Sequence, residues 1–388
     1  MAAFFIPALH SAPPRPGWTT AGNLRIGSGL GSRHRRNAIE LSRFAEWVGL
    51  ALVGVLVAVL VAVAAGRADE DAAVGLTRAL AAEETRTGKL SPALLPVIDE
   101  LAQARLGSGD LTEAAALRRR ALDIAVAAFG CDSAKAAEAM AALARVHIDR
   151  RRYLDAEPLL IVAERVMRDR GAADHPALAA ILAGLARVAL ARGETDPAIA
   201  WAGRSVDIAR ADPQGRSAEP LRTLGAALAA ARRFDDAKPV LSDALAQDRR
   251  QHGAEHPETA RSLSQLGNLH LRQGRAGEGL PLFAEAAAID QARLGPTHPF
   301  IADDLHDLGL AYEALKRDDQ ALLAYLAALA VLERGAGRDT PRVAYVELEL
   351  SRLYRRKGDA AAAEAAFRNA RRILNKAEAE ERRRERRV

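Results

Sequence analysis

The chain has 388 residues, of which 49% are hydrophobic and only 4% aromatic, and its formal net charge is +5 at pH 7. Its single cysteine, Cys131, excludes an intrachain disulfide framework and any multi-cysteine metal site. The basic excess is mild and gathered at the two ends, which points to membrane orientation and solubility and away from nucleic-acid binding.

Residues 1–44 are rich in Gly, Pro, Ser and Arg, and their first acidic residue is Glu40. No apolar face lasts long enough to bury anything, so they read as a disordered basic segment. A true start nearer Arg33 and an Arg-rich transit peptide are the alternatives. Residues 45–67 enclose Trp47–Gly66, a run without a charge that matches the ~20 residues a helix needs to cross a bilayer core. Trp47 stands where an interfacial aromatic belongs; Arg15, Arg25, Arg33, Arg35, Arg36 and Arg43 precede it against Glu40 and Glu46, and Arg67, Asp69, Glu70 and Asp71 follow. This bias places the N-terminus in the cytoplasm and the rest beyond the membrane. The expectation is a single-pass inner (cell) membrane protein with its bulk on the periplasmic or extracytoplasmic side. The rival is a signal peptide cleaved after Ala62-Val63-Ala64, which would leave a secreted protein. Residues 68–88 read as a lone capping helix, with Leu76 and Ala79 as its core positions.

From there one unit repeats. Leucine followed by a small residue recurs at Leu101, Leu143, Leu185, Leu224, Leu266, Leu308 and Leu350, 42 residues apart except for one step of 39. A fixed period of this size signals a solenoid, in which each repeat packs only on its neighbours. Units open on His175-Pro176, His256-Pro257, His298-Pro299, Thr340-Pro341 or Ser91-Pro92, where proline suits the first turn of a helix. Gly109, Gly193, Gly274 and Gly358 close the first helices, because glycine tolerates a left-handed backbone past a helix end. Arg151, Arg232 and Lys316 replace it in the other copies. The second helices carry small residues at two places seven apart, such as Ala156 and Ala163, Ala237 and Ala244, or Ala321 and Ala328. A larger side chain stands between them: Leu160, Leu241, Phe283, Tyr325 and Phe367. Small and large residues on one face let neighbouring helices interlock.

This pattern resembles tetratricopeptide repeats of the longer, kinesin-light-chain type, which open on His-Pro and run to 42 residues. Tyr312 and Tyr354 match that family's first-helix aromatic, whereas His147 and His270 depart from it. The resemblance covers about residues 89–376 and implies an all-α, right-handed α-solenoid of about seven helix hairpins, here preceded by one transmembrane helix. Residues 67–88 leave no room for the long coiled coil of a kinesin light chain, so a motor-adaptor role does not carry over. Residues 377–388 alternate Arg and Glu without an apolar stripe and read as a charged, solvated tail.

Nothing here predicts chemistry. There is no GxxxxGK[ST], GxSxG or HExxH motif. Gly27–Ser32 is glycine-rich but follows no strand, and His252 and His256 belong to a turn rather than to one continuous helix. The expectation is a non-catalytic scaffold without catalytic, cofactor or metal residues; the alternatives are a soluble or secreted adaptor and an enzyme or sensor hidden in the repeats. The first helices would line a concave surface, and the resemblance places its inward positions two and five residues to either side of each marker leucine. These are Arg145 and Ile148, Arg187 and Leu190, and Arg222 in the second to fourth units. The fifth gives Arg261, Ser264, Asn268 and Leu271; the sixth, Asp303, His306, Leu310 and Glu313; the seventh, Tyr345, Arg352 and Arg355. Arginine dominates, with Glu138, Glu219, Asp303 and Glu313 as counterweights, so the expected partner is a protein or peptide of acidic character, its carboxylates met by arginine and its apolar anchors by Leu, Ile and Tyr. The alternative is a salt-bridged groove, with the convex face doing the binding. Oligomeric state is left open.

Overall fold

In the computed structural model of the protein, residues 72–385 are described, apart from 173, 212–217 and 336. The basic segment and Trp47–Gly66, with the expected membrane helix, lie outside the described residues. Among the described residues no helix is long and apolar enough to cross a membrane, and no strand occurs.

Helix α1 covers residues 72–87. A 3-10 turn, Pro92–Leu94, then leads into seven hairpins. Their first helices are α2 (Leu95–Gly107), α4 (Ala134–Asp149), α6 (Pro176–Arg192), α8 (Glu219–Ala230), α10 (Pro257–Arg272), α12 (Pro299–Ala314) and α14 (Pro341–Arg356). Their second helices are α3 (Leu111–Phe129), α5 (Tyr153–Asp169), α7 (Thr195–Ala211), α9 (Phe234–His252), α11 (Ala276–Leu294), α13 (Asp318–Gly335) and α15 (Ala360–Glu385). Each first helix packs on its own second helix, and first helices from α4 to α12 also touch in file. The last helix continues unbroken past 376 to Glu385.

The His-Pro openings work as helix caps. The Nδ1 atoms of His175, His256 and His298 accept the backbone N–H of Ala177, Glu258 and Phe300 at 3.2, 3.1 and 3.2 Å. Each ring thereby satisfies an N–H that has no partner within its helix, and the proline that follows lacks one altogether. At the other end, Gly109, Gly193, Gly274 and Gly358 adopt positive φ. Among the described residues, those other than glycine with positive φ are Arg151, Arg232 and Lys316, the three that take glycine's place in the repeat. The unit dictates a left-handed backbone there even where a side chain makes it costly.

The core interlocks large side chains with glycines, inside the fourth, fifth and sixth hairpins and, for Leu160 against Gly184, between the second and third. Leu241, Phe283 and Tyr325 are fully buried because the facing first helices carry Gly225, Gly267 and Gly309. A Cβ on Gly267 would sit 2.7 Å from the Phe283 ring. Where the first helix has Ala186 instead, the second carries only Ala202, and both are buried. The last hairpin breaks the expectation for Phe367, which is 39% exposed. Ser351 replaces glycine there and donates its hydroxyl to the Ala363 carbonyl at 2.8 Å, so the space for a ring is filled. The capping helix also differs in detail. Ala73 and Leu80 are its buried residues, Leu76 is half-buried, and Ala79 is exposed, one position off the stripe that meets α2 and α3.

The array turns far enough for its beginning to meet its end. The Pro299 ring lies against Gly109, and His298 Nε2 is 3.1 Å from the Leu106 carbonyl. Because His298 Nδ1 accepts from Phe300, Nε2 carries the ring proton and donates to Leu106. Arg151 pairs with Asp303 at 3.1 Å, and Arg342 reaches both Asp303 at 2.9 Å and the Asp149 carbonyl at 2.5 Å. The first two hairpins are thus tied to the last two across the inner surface.

Candidate functional site

The first helices present their inward side chains to a half-open chamber of about 660 Å³ bounded by this closure. Its wall includes Asp99 and Arg118 from the first hairpin, Glu138, Arg145 and Ile148 from α4, and Arg187 from α6. Glu219, Glu258, Arg261 and Phe300 complete it from α8, α10 and α12. A smaller recess of about 170 Å³ lies beside it, between Arg151, Asp303, His306, Arg342 and Tyr345.

The arginines expected from the sequence do gather on this surface, but acids of the same chain meet them. Arg145 lies 3.3 Å from Glu219, and Arg187 lies 2.9 Å from Asp149 and 3.5 Å from Glu219. Arg261 pairs with Glu258 at 2.8 Å and stacks over the Phe300 ring at 4.3 Å. Arg222 is buried between Asp248, at 2.6 Å, and Glu258. Burial alone would push the Glu219 carboxyl up, yet Arg145, Arg187, Arg222 and Arg261 outweigh it and bring it down to about 2. Glu258 and Asp303 are held low in the same way, against their burial, by the arginines around them.

The expected groove residues therefore fall into three sets. Arg145, Tyr345, Arg352 and Arg355 are exposed. Arg187, Leu190, Arg261, Asn268 and Leu271 are half-buried, as are Asp303, His306, Leu310 and Glu313. Ile148, Arg222 and Ser264 are buried. Several half-buried polar groups are already engaged: Asn268 donates to Asp307 at 2.9 Å, and Glu313 accepts from Tyr325 at 2.8 Å and from Arg356 at 2.7 Å.

Reading from the sequence missed one row. Ala177, Glu258, Phe300 and Arg342 all stand just after the opening proline, eight residues before the marker leucine. The first three line the chamber and Arg342 lines the smaller recess. The signal was available, because stepping back one helical turn from the position five before the leucine lands on them.

The inner surface sets paired charges beside apolar side chains. Among the described residues no three His, Cys, Asp or Glu side chains converge as a metal site. His252 and His256 stack at 4.6 Å, but Nδ1 of His256 is committed to its cap. Cys131 is free and exposed.

The tetratricopeptide repeat family matches residues 143–211, 216–278 and 263–334. No curated protein matches the chain. Among solved structures, a chain of the APC/C hetero-tetramer Cut9–Hcn1 is 15% identical with a TM-score of 0.51, covering 77% of this chain and 52% of that one. BtubC (BKLC) from P. vanneervenii is 20% identical over 63% of this chain and 92% of its own, with a TM-score of 0.43. A Podospora anserina kinesin light chain structure with nearly identical TPR-like repeats is 22% identical over 52% and 98%, with a TM-score of 0.41. At these identities the likeness concerns the fold alone. Seven hairpins in a nearly uniform 42-residue step, with the family's match seated on the middle of them, show that residues 143–334 are built of tetratricopeptide repeats.

Proposed function

We propose that the protein is a non-catalytic scaffold that holds a protein or peptide partner on its inner surface and is anchored in the cell membrane by Trp47–Gly66. The fold is one that typically serves protein–protein interaction. One observation carries the reading: Arg145, Arg187 and Arg261, from three first helices, line a single chamber, each already meeting a carboxylate. A surface that binds its own carboxylates so well has the geometry to bind a partner's. The partner exchanges with, or adds to, Glu219 and Glu258, and it reaches first the arginines that stay exposed, Arg145, Arg352 and Arg355, with Tyr345 beside them as an apolar anchor.

Changing Arg145, Arg352 and Arg355 together to Glu tests this without touching the core. Arg222 is unsuitable, since an acid there would be buried against Asp248. Loss of partner capture by the folded variant is the expected result; undiminished capture rejects the inner surface as the site. A second reading uses the outer face, where Leu154 and Ile161 of α5 and Leu323 of α13 are 53%, 54% and 62% exposed. For the anchor, alkaline extraction should leave the full-length chain in the membrane pellet. The exposed Cys131 should react with an impermeant maleimide applied to intact cells whose outer barrier has been opened. A cytoplasmic array would stay unlabelled until the cell membrane is lysed.

A further inference from the structure

The repeat register makes two junctions directly comparable. Between the fourth and fifth hairpins, Arg222 of α8, Asp248 of α9 and Ser262 of α10 meet. Arg222 and the Ser262 hydroxyl donate to the same Asp248 oxygen at 2.6 and 2.5 Å. One 42-residue step later the same places hold Ser264, Asp290 and Asp304. The arginine has become a serine, and the serine a second carboxyl. Ser264 donates to Asp304 Oδ1 at 2.9 Å, and the two carboxyls lie within hydrogen-bond reach of each other. Asp290 and Asp304 are 2% and 5% exposed, and no donor reaches Asp290 Oδ1 or Asp304 Oδ2.

Charged neighbours face the pair from two helices. Arg261 and Glu258 do so from α10, and Asp303 and Asp307 from α12. The one cation among them, Arg261, is turned to Glu258 and Phe300. Two adjacent buried carboxylates without their own cation cannot both be ionised. One proton must sit between them. Helix α12, which supplies Asp304 to the pair, also supplies the closing contacts: His298 to Leu106 and Asp303 to Arg151.

We propose that Asp290 and Asp304 form a shared-proton lock, which seats α12 on α11, and through α12 closes the last hairpins onto the first, only while one proton is held between them. The lock is independent of what the inner surface binds. Burial pushes Asp290 up to about 7, and burial together with Asp290 pushes Asp304 well above the ordinary carboxylate range. Carboxyls raised in this way let the folded chain hold a proton that the unfolded chain has released. Their contribution is therefore full in acid, declines as pH rises above the unfolded carboxylate value, and is gone above about 7.

The test is thermal unfolding of the full chain from pH 4.5 to 8.5, comparing wild type with Asp304→Asn, Asp290→Asn and Ser264→Arg. Each variant is read as a difference from wild type, because His147 and His298, held neutral by burial down to about 4, titrate in the opposite sense. All three variants should gain on wild type as pH rises from 5 to 7 and then run parallel to it. Ser264→Arg does so by rebuilding the Arg222 arrangement. At pH 6 wild type should retain about one proton more on folding than Asp304→Asn. A label on Cys131 and a second at Arg338→Cys should move apart above pH 8 in wild type but not in Asp304→Asn. Differences from wild type that do not change with pH, or a label distance that ignores pH in wild type, would overturn the proposal. Should one variant fail to fold, the other two carry the test.

Discussion

The seam inside each hairpin and the inner surface are made by the same helices under opposite rules. In the seam, complementary sizes repeat: glycine opposite Leu241, Phe283 or Tyr325, and Ala186 opposite Ala202. On the inner surface the positions repeat but the residues do not, and charges pair across hairpins or across the closure, as Arg187 does with Asp149 and Arg151 with Asp303. The difference teaches that packing specifies the hairpin and stacking, while electrostatics is left free to specialise one face. Solenoids permit this because each repeat needs only its neighbours for stability.

The comparison breaks most visibly at one buried side chain of each kind, Tyr325 and Arg222. Tyr325→Ala should cost about 3–5 kcal/mol by leaving a cavity opposite Gly309, whereas Phe367→Ala at the open end should change stability by under about 1 kcal/mol; denaturant unfolding of the full chain measures both. Arg222→Ala should cost a similar ~3–5 kcal/mol because it strands the buried Asp248, and replacing both residues with apolar ones should recover most of it. A middle-sized effect belongs to Gly267→Ala, where the new methyl meets the Phe283 ring and overpacking costs about 1–3 kcal/mol.

Acid sharpens the charged half of the comparison. The Glu219 carboxyl is depressed in the folded chain, so its stabilising share is present above the ordinary carboxylate range and lost as pH falls toward about 2. Glu219→Gln should lower the melting temperature by a constant amount above pH 6 and flatten the acid limb, so that the variant and wild type converge toward pH 2. Smallest of all, Lys316→Gly should raise stability by at most about 1 kcal/mol, since it relieves a side chain at positive φ.

How much of this was legible follows from the same division. Period, hairpin ends and interlock are local or nearest-neighbour properties, so Gly109, Arg151 or the pairing of a large side chain with a glycine can be read from spacing. The His-Pro openings were legible as turns, though not as caps in which an imidazole nitrogen replaces a hydroxyl. The closure was not legible, because His298 and Leu106 are 192 residues apart and their meeting depends on small rotations accumulated over five repeats. For that reason the inward arginines could be placed on the right face, with Glu219 among the acids expected beside them, while Asp149 and Glu258 went unrecognised. Phe367 misled because the pattern carried on into a unit where Ser351 had withdrawn the space for it.

The most direct test of the central claim is to place a photo-crosslinking residue at Tyr345 on the inner surface and, separately, at Leu154 and Leu323 on the outer face, and to activate each in living cells. The account predicts one discrete protein adduct from Tyr345 that disappears when Arg145, Arg352 and Arg355 are changed to Glu. An adduct formed only from Leu154 or Leu323, or one from Tyr345 that survives the charge reversal, would contradict it.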